Sequence, residues 1–359
     1  MSWIDASIVT LIVTLMLLFA LRPVALATGL VDRPGGRKTH VGIVPVIGGI
    51  CMWIGIAVTL PLMEPGVEGT PVFLVASGLL LTIGVIDDRF DLSAKVRLIG
   101  QATAALFMCL GANLVAHSLG DLFFFGNIGL GWLALPFTIL VAIAVINAFN
   151  MLDGMDGLAG SMGLAALVPA VIVSWFAGAN YSLSLAAIVL CAIVGFLIFN
   201  FPLPFNRPVR TFMGDAGSTV IGFGVIWVGM EMAHGTQPVI SPVTALWLAA
   251  LPIFDLFISF GRRVAKGQSP FSPDRGHFHH ILQRAGFRDR EIVLMMGGSG
   301  LIVSALGVAG HKFGVPDGTL FIGLIALGTL QVWIYSRAWR IARWLRRHRR
   351  GVAVTHHHP

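Results

Sequence analysis

Apolar residues occur along the chain in long runs that short polar segments separate. Eleven such runs lie at residues 7–27, 45–63, 71–86, 97–116, 131–149, 158–177, 182–200, 215–233, 241–260, 291–310 and 318–336. A helix needs about 20 mostly apolar residues to cross the hydrocarbon layer of a bilayer. The runs are unbroken rather than alternating, which favours helices over the strands of a membrane barrel. The pattern therefore predicts an all-α polytopic membrane protein with about eleven transmembrane helices.

The composition supports this prediction. Hydrophobic residues make up 56% of the 359 residues and charged residues 11%, whereas an ordinary soluble domain carries about 25% charged residues. Because the loops are short and no internal repeat is evident, we expect one transmembrane domain over residues 1–336 and a basic cytoplasmic tail over 337–359. Ala25-Leu26-Ala27 resembles a signal-peptide cleavage site, but the first twenty residues contain no Lys or Arg. A signal peptide begins with a basic segment, so we expect the first apolar helix to be retained.

Basic residues fix an expected orientation. With the N-terminus outside, 23 of the 24 Lys and Arg residues fall on the side of the C-terminus, and Lys312 alone falls on the other side. Cytoplasmic loops are enriched in Lys and Arg. We therefore expect the N-terminus outside and the C-terminus in the cytoplasm, which for a protein of a bacterial inner membrane means a periplasmic N-terminus. The tail from Arg337 to Arg350 is typical of an anchor on anionic membrane lipid, and nucleic acid is not an expected partner.

Polar residues on the predicted cytoplasmic side gather in five clusters, and ionisable residues at a membrane edge are candidates for function. The first cluster surrounds Gly35-Gly36, with Arg33, Arg37 and Lys38 beside it. It is either an ordinary basic loop or a flexible turn whose N–H groups face an anion.

The second cluster begins with the adjacent Asp87 and Asp88 at the end of the third run, and Asp91, Lys95 and Arg97 follow. Two adjacent carboxylates repel each other, and a divalent cation would relieve that repulsion. The alternative is a solvated helix end, but acidic residues are unfavourable at the C-terminus of a helix.

The third cluster places Asn147, Asn150, Asp153 and Asp156 at intervals of three residues. Residues three apart lie on one face of a helix, and Gly154 and Gly157 allow the helix to end there. No basic residue lies between these four side chains, so a purely structural role explains them poorly.

The fourth cluster is Phe212-Met213-Gly214-Asp215-Ala216-Gly217-Ser218, which opens the eighth run. Asp215 is either a helix N-cap or a metal ligand beside a helix N-terminus that favours phosphate.

The fifth cluster is the long loop from Gly261 to Arg290. It contains Arg262-Arg263 and the run His277-Phe278-His279-His280. Zinc requires four well-spaced ligands, so phosphate binding is the favoured interpretation and a plain surface loop the alternative. Asp255, inside the preceding run, is a candidate ion-pair partner with no assigned role.

These clusters place carboxylates for Mg²⁺ and cations for phosphates on one membrane face. The chain has no Walker loop, no Gly-x-Ser-x-Gly elbow and no Cys-His pair. Mg²⁺ prefers a few protein carboxylates together with substrate phosphate oxygens. The pattern therefore predicts phosphoryl transfer between two anionic substrates at the boundary of water and lipid.

The five clusters, in this order, resemble the polyprenyl-phosphate N-acetylhexosamine-1-phosphate transferase family. The resemblance rests on the pair 87–88, the run Asn-x-x-Asn-x-x-Asp-Gly-x-Asp-Gly-Leu at 147–158 and Gly-Asp-x-Gly-Ser at 214–218. The segment 269–280 is similar to the WecA-type branch, which uses UDP-N-acetylglucosamine (UDP-GlcNAc) and undecaprenyl phosphate. Phe278 departs from the aliphatic residue that is commoner there, which leaves another UDP-N-acetylhexosamine open as donor.

The resemblance implies a role for each matching residue. Asp215 and Asn150 would bind Mg²⁺, with Mn²⁺ as an alternative metal. The expected catalytic residues are Asp87, Asp88 and Asp153, and the expected substrate-binding residues are Lys95, Asn147, Asp156, Arg263, His277, His279 and His280. Asp87 and Asp88 would lie at the lipid phosphate, Asp156 at the uracil, Lys95 at a phosphate, and Arg263 and the three histidines at the diphosphate and sugar.

The implied enzyme is a Mg²⁺-dependent phosphoglycosyl transferase on the cytoplasmic face. It would move GlcNAc-1-phosphate onto undecaprenyl phosphate, release UMP and start a lipid-linked surface polysaccharide such as the O-antigen of lipopolysaccharide. Direct attack by the lipid phosphate and a covalent aspartyl-phosphate route both remain open. An ion-coupled transporter is the rival class, but transporters place their charges near the midplane and often have repeated halves. Membrane lipids surround the protein, and its apolar outer surface is compatible with a homodimer.

Overall fold

The computed structural model describes residues 1–33, 42–63, 69–203, 210–269, 276–337 and 340, and helices dominate these ranges. The helices are α1 (Trp3–Thr28), α2 (Gly48–Thr59), α3 (Gly69–Phe90), α4 (Ala94–Gly111), α5 (Ala134–Leu152), α6 (Leu158–Ala177), α7 (Asn180–Asn200), α8 (Gly214–His234), α9 (Pro242–Leu248), α10 (Ala250–Ala265), α11 (Phe278–Arg284), α12 (Asp289–Lys312) and α13 (Asp317–Ser336). Short 3₁₀ turns at Leu60–Leu62 and Gly131–Leu133 follow α2 and precede α5. Two short strands, β1 (Val31–Asp32) and β2 (Val44–Pro45), pair antiparallel. Most of the predicted tail, 337–359, lies outside the described residues.

Within the described ranges, eight helical segments are long and apolar enough to cross a membrane: α1, α3, α5 with its preceding turn, α6, α7, α8, α12 and α13. The bent pair α9 and α10 makes a ninth if it is one span. The predicted class, an all-α polytopic membrane protein, is confirmed. All eleven predicted runs contain helix, but α2 is short and α4 opens with Lys95 and Arg97, so the count of eleven spans stays a prediction.

The ninth predicted run is helical but sharply bent at Ala249, where the axes of α9 and α10 meet at 77°. Pro252 has no N–H to donate to the carbonyl of Leu248, and a missing helical hydrogen bond favours a kink. The hydroxyl of Ser304 on α12 lies 3.3 Å from that carbonyl and 3.3 Å from the carbonyl of Trp247. A neighbouring helix thus satisfies the freed backbone groups, as membrane interiors require.

Helix α8 lies at the centre of the bundle, and its apolar stretch is entirely buried. Glycines bring its neighbours close to its first turn. Gly49 of α2 faces Gly217, and a Cβ added to Gly84 of α3 would lie 2.3 Å from the Cα of Ala216. Small residues permit such close helix packing in membranes. The start of α8 is therefore held between α2 and the end of α3.

Two backbone connections bring further segments to the same place. Phe212 donates its N–H to the carbonyl of Pro45 at 2.8 Å, and its carbonyl accepts from Gly48 at 3.0 Å. Asn200, at the end of α7, accepts from the N–H of Gly157 at 2.6 Å and donates to the carbonyl of Thr211 at 2.8 Å. The ends of α3, α5 and α7 consequently meet the start of α8 on one side of the bundle.

Candidate active site

A cavity of about 1060 Å³ opens where these helix ends meet. Among the described residues, its wall carries eight aspartates and three arginines: Asp32, Asp87, Asp88, Asp91, Asp153, Asp156, Asp215, Asp289, Arg89, Arg210 and Arg284. Six of the predicted site residues line it, namely Asp87, Asp88, Asp153, Asp156, Asp215 and His280. Acidic groups outnumber basic ones, so the wall is unfavourable for an anion unless cations accompany it.

Asp87 and Asp88 lie in the last turn of α3, as predicted, but each has its own partners. The Asp87 carboxylate is buried, accepts from the N–H of Leu92 at 2.7 Å and pairs with Arg97 at 3.1 Å. Asp88 accepts from the N–H of Asp215 at 2.8 Å and of Ala216 at 3.4 Å. Asp88 therefore occupies the N-terminus of α8, the position that one of the two interpretations of the sequence gave to a phosphate.

Gly214 makes this arrangement possible. Its φ is +72°, a conformation that glycine adopts without strain. A Cβ at this position would lie 2.3 Å from Oδ2 of Asp88 and 2.5 Å from Cγ1 of Val46. The residue before Asp215 thus has to be glycine if Asp88 is to reach the start of α8.

Asp215 and Asn150 are adjacent, as predicted. The side-chain amide of Asn150 donates to Oδ1 of Asp215 at 2.8 Å and to the hydroxyl of Ser218 at 3.1 Å. Arg97 lies 3.6 Å from Oδ2 of Asp215 and also binds Asp87. One guanidinium therefore links the end of α3 to the start of α8.

The loop between α5 and α6 carries the other two predicted aspartates. Burial raises the pKa of the Asp153 carboxyl well above its usual range, and the charges of Asp215, Asp88 and Asp156 raise this pKa further. Asp156 forms an ion pair with Arg210 from the segment before α8. The prediction that the helix ends near Gly154 is confirmed, because α5 ends at Leu152 and α6 begins at Leu158.

The three histidines have different environments. His280 lines the cavity. His279 is fully buried, and its two ring nitrogens have no hydrogen-bond partner among the residues that the structure describes. Burial lowers the pKa of the His279 imidazole well below its usual value, and the neighbouring His280 and His277 lower this pKa further. His277 is buried beside Arg263, 3.3 Å away, and neither residue lines the cavity.

Lys95 and Asn147 are not part of the cavity wall. Lys95 is exposed near the start of α4. Asn147 donates to Oε1 of Gln101 at 2.6 Å and to the carbonyl of Ile143 at 2.8 Å, one helical turn away from Asn150. The predicted Gly35-Gly36 turn and the segment 270–275 lie outside the described residues.

Sequence reasoning assigned no role to three residues that the structure brings to the site or its support. Arg97 joins Asp87 and Asp215. The connection 91–93 between α3 and α4 is short, so the start of α4 has to lie near the end of α3, and this was the signal in the sequence that could have indicated the contact. Arg210 pairs with Asp156, which no local pattern indicated. Asp255 had been considered as an ion-pair partner, and it binds His277 at 2.7 Å.

The described residues contain no group of three or more His, Cys, Asp or Glu side chains that converges as a metal cage. A zinc or calcium site built from protein ligands alone would need such a group. The arrangement instead offers one or two oxygen ligands beside an open cavity.

Comparison with known proteins places this geometry in a family. The model of glycosyl transferase family 4 matches residues 70–233. The chain is 38% identical over 349 residues to the undecaprenyl-phosphate alpha-N-acetylglucosaminyl 1-phosphate transferase of Escherichia coli O157:H7, which covers 97% of this chain and 95% of that protein. The protein of the same description from Haemophilus influenzae is 37% identical over 347 residues, with 95% of this chain and 96% of that protein covered.

A third relative with that description, from Yersinia pestis, is 36% identical over 337 residues, with 93% of this chain and 92% of that protein covered. Similarity of this extent covers nearly the whole chain. The chain therefore belongs to glycosyl transferase family 4, in the group of the undecaprenyl-phosphate alpha-N-acetylglucosaminyl 1-phosphate transferases.

Proposed function

We propose that this protein transfers GlcNAc-1-phosphate from UDP-GlcNAc to undecaprenyl phosphate, which gives undecaprenyl-diphosphate-GlcNAc and UMP. Its product would start a lipid-linked surface polysaccharide such as O-antigen. The observation that carries the proposal is the acidic cavity at the ends of membrane helices, in a chain whose full-length relatives carry this activity in their names. A cavity in that position is accessible to a lipid headgroup and to a soluble nucleotide. The transporter alternative has no support among these relatives.

The same observations support the finer topology. We infer eleven spans, with the N-terminus in the periplasm and the active site at the cytoplasmic face of the inner membrane. The cavity is formed by the C-terminal ends of α3 and α5 and by the N-terminal end of α8. Alternate crossing from a periplasmic N-terminus places these ends on the same, basic side.

Mg²⁺ fits Asp215 on the cavity wall together with Asn150, which contacts Asp215 from behind that wall. A hard cation of this kind binds one or two carboxylates and completes its shell with substrate phosphates and water. The side-chain NH₂ of Asn150 donates to the Asp215 carboxylate and to Ser218, so a half-turn of this amide would bring its carbonyl oxygen to the Asp215 side as a second oxygen ligand. Burial raises the pKa of Asp153, and the charges of Asp215, Asp88 and Asp156 raise it further; a cation among these carboxylates would offset the effect of their charges. Asp215 and Asn150 would hold the ion. When bound, the ion would neutralise negative charge on the diphosphate of the UDP-sugar.

Direct attack by the lipid phosphate is the simpler route. The second pKa of a phosphate monoester is about 6, so most of the lipid phosphate is already a dianion at pH 7 and needs no strong base. An oxygen of that phosphate forms a bond to the β-phosphorus of UDP-GlcNAc. The bond from the β-phosphorus to the bridging oxygen breaks, and UMP leaves with that oxygen.

The protein side chains would then position the two substrates rather than form a covalent intermediate. Asp87 and Asp88 are already bound by Arg97 and by the first N–H groups of α8. These contacts hold both carboxylates in place and make them weaker nucleophiles. Arg210, on the cavity wall and held by Asp156, is placed to meet a phosphate group of the donor.

The proposal is tested by incubating purified protein with undecaprenyl phosphate and a panel of UDP-sugars, with Mg²⁺ or with a chelator, and by measuring UMP. We expect UMP from UDP-GlcNAc when both lipid and Mg²⁺ are present. Asp215→Asn should abolish UMP release, whereas Asp317→Asn, the same change in the first turn of α13, should not. UMP from another UDP-N-acetylhexosamine alone would change the donor, and no UMP from any donor would refute the proposal.

A further inference from the structure

Asp255 of α10 is the centre of a buried polar cluster that the proposed reaction does not use. Its side chain is 2% exposed. It accepts from Nδ1 of His277 at 2.7 Å, from the N–H of Phe278 at 3.1 Å and from the hydroxyl of Tyr335 on α13. A buried carboxylate is stable when its oxygens accept several hydrogen bonds, and removal of such an acceptor leaves its donors unsatisfied.

These contacts determine which nitrogen of His277 carries a proton. Nδ1 faces the Asp255 carboxylate, which only accepts hydrogen bonds, so this nitrogen is the donor. Nε2 lies 3.3 Å from a guanidinium nitrogen of Arg263, which only donates. The neutral tautomer with the proton on Nδ1 is the form that satisfies both contacts. Asp255 therefore orients His277, and His277 in turn orients Arg263.

The cluster also determines where α11 begins. His277 is the residue before the first turn of α11, and Phe278 is its first residue. Asp255 binds both, so the start of this helix is fixed against α10. Two residues after His277, His279 lies against the α5–α6 loop: a Cβ added to Gly154 would be 3.1 Å from Nε2 of His279. His280 follows on the cavity wall.

We propose that Asp255 is a positioning residue for the sugar-nucleotide side of the site. Through His277 and the first N–H of α11 it holds Arg263 and His280 in place, and Tyr335 connects the last membrane helix to the same carboxylate. The inference rests on the proposed function, since it assigns Asp255 a role in that reaction. Asp255 is not part of the cavity wall, so it would act through these neighbours rather than by contact with a substrate.

The test uses Asp255→Asn in the full-length protein, with Asp317→Asn as the matched control. An amide cannot accept hydrogen bonds from all three donors, and with its NH₂ group toward Nδ1 it would force the proton of His277 onto Nε2, against Arg263. We expect kcat/KM for UDP-GlcNAc to fall about 10- to 100-fold, as when a carboxylate that supports a functional histidine is removed. The KM for undecaprenyl phosphate should not change. Asp317→Asn should behave as the wild type.

A double-mutant cycle with His277→Gln separates positioning from a general loss of structure. Because Asp255 also binds the N–H of Phe278, the double variant should be less active than His277→Gln alone, but by a clearly smaller factor than the one that separates Asp255→Asn from the wild type. Additive losses, a parallel loss for both substrates, or full activity of Asp255→Asn would overturn the inference. A wild-type protein that releases no UMP would instead refute the proposed function.

Tyr335→Phe provides a second variant if Asp255→Asn does not fold. It keeps the carboxylate and removes one of its three donors. We expect a fall of about threefold in kcat/KM for UDP-GlcNAc, in line with the loss of one hydrogen bond. That fall should be smaller in the His277→Gln background, and an unchanged value for Tyr335→Phe would contradict the inference.

Discussion

Gly214→Ala is expected to displace the Asp88 carboxylate from the start of α8. The added Cβ would lie 2.3 Å from Oδ2 of Asp88, whereas ordinary van der Waals contact begins at 3.4 Å. The carboxylate therefore has to move by about 1 Å, and a misplacement of that size can reduce turnover about 100-fold. The same substitution also places alanine at a φ of +72°, a left-handed conformation that costs about 1–2 kcal/mol.

Gly178→Ala is the matched control for that backbone strain. Gly178 ends α6 with a φ of +68°, and no atom lies within 4 Å of the Cβ that alanine would add. Both variants should therefore lose similar thermal stability in detergent, and Gly214→Ala alone should lose about 100-fold in UMP release. Full turnover of Gly214→Ala would refute the role of the Asp88 contact. A much greater loss of stability than in Gly178→Ala would show that the clash acts on the fold.

Further variants test individual parts of the site. Asp88→Asn should lose UMP release, because an amide cannot accept from both N–H groups at the start of α8 while it faces the lipid phosphate. Intact Mg²⁺-dependent binding of the UDP-sugar without turnover would agree with this role of Asp88. Full activity would contradict it. Arg97→Met should lower turnover about 10- to 100-fold, because Asp87 and Asp215 lose their shared cation; unchanged kinetics would exclude that link. His279 should make the protein less stable as the pH falls below about 6.5, because its lowered pKa keeps it neutral when folded while the unfolded chain takes up a proton. His279→Leu should therefore flatten the melting temperature between pH 6.5 and pH 5, and the same slope in both proteins would contradict this.

The sequence was sufficient to predict an all-α membrane protein, because apolar runs of membrane length report directly on the solvent around them. It did not reveal the bend at Ala249, which depends on Pro252 together with a hydroxyl from α12, about 50 residues away. The predicted eighth run begins at residue 215, one residue after α8 begins at Gly214. The residue that caps this helix, Asp88, is 127 positions earlier, and no local pattern identifies such a partner.

The positions of the candidate site residues were predicted less completely than the helices. The spacing of three correctly put Asn150 next to the site, but it also included Asn147, whose amide is bound to Gln101. The row is broken because α5 ends at Leu152, so Asp153 belongs to a loop with different geometry. Asp255 and His277 are 22 residues apart, and a run of apolar helix and a long loop separate them. Such pairs follow from tertiary packing, which residue spacing alone does not encode.

The most direct test of the central claim is the identity of the nucleotide released when purified protein acts on UDP-GlcNAc and undecaprenyl phosphate. Transfer of a sugar phosphate cleaves the diphosphate and releases UMP, whereas transfer of the sugar alone would release UDP. We expect UMP in equal amount to a lipid product whose mass is that of undecaprenyl-diphosphate-GlcNAc. Release of UDP, or UMP without that lipid, would contradict the account.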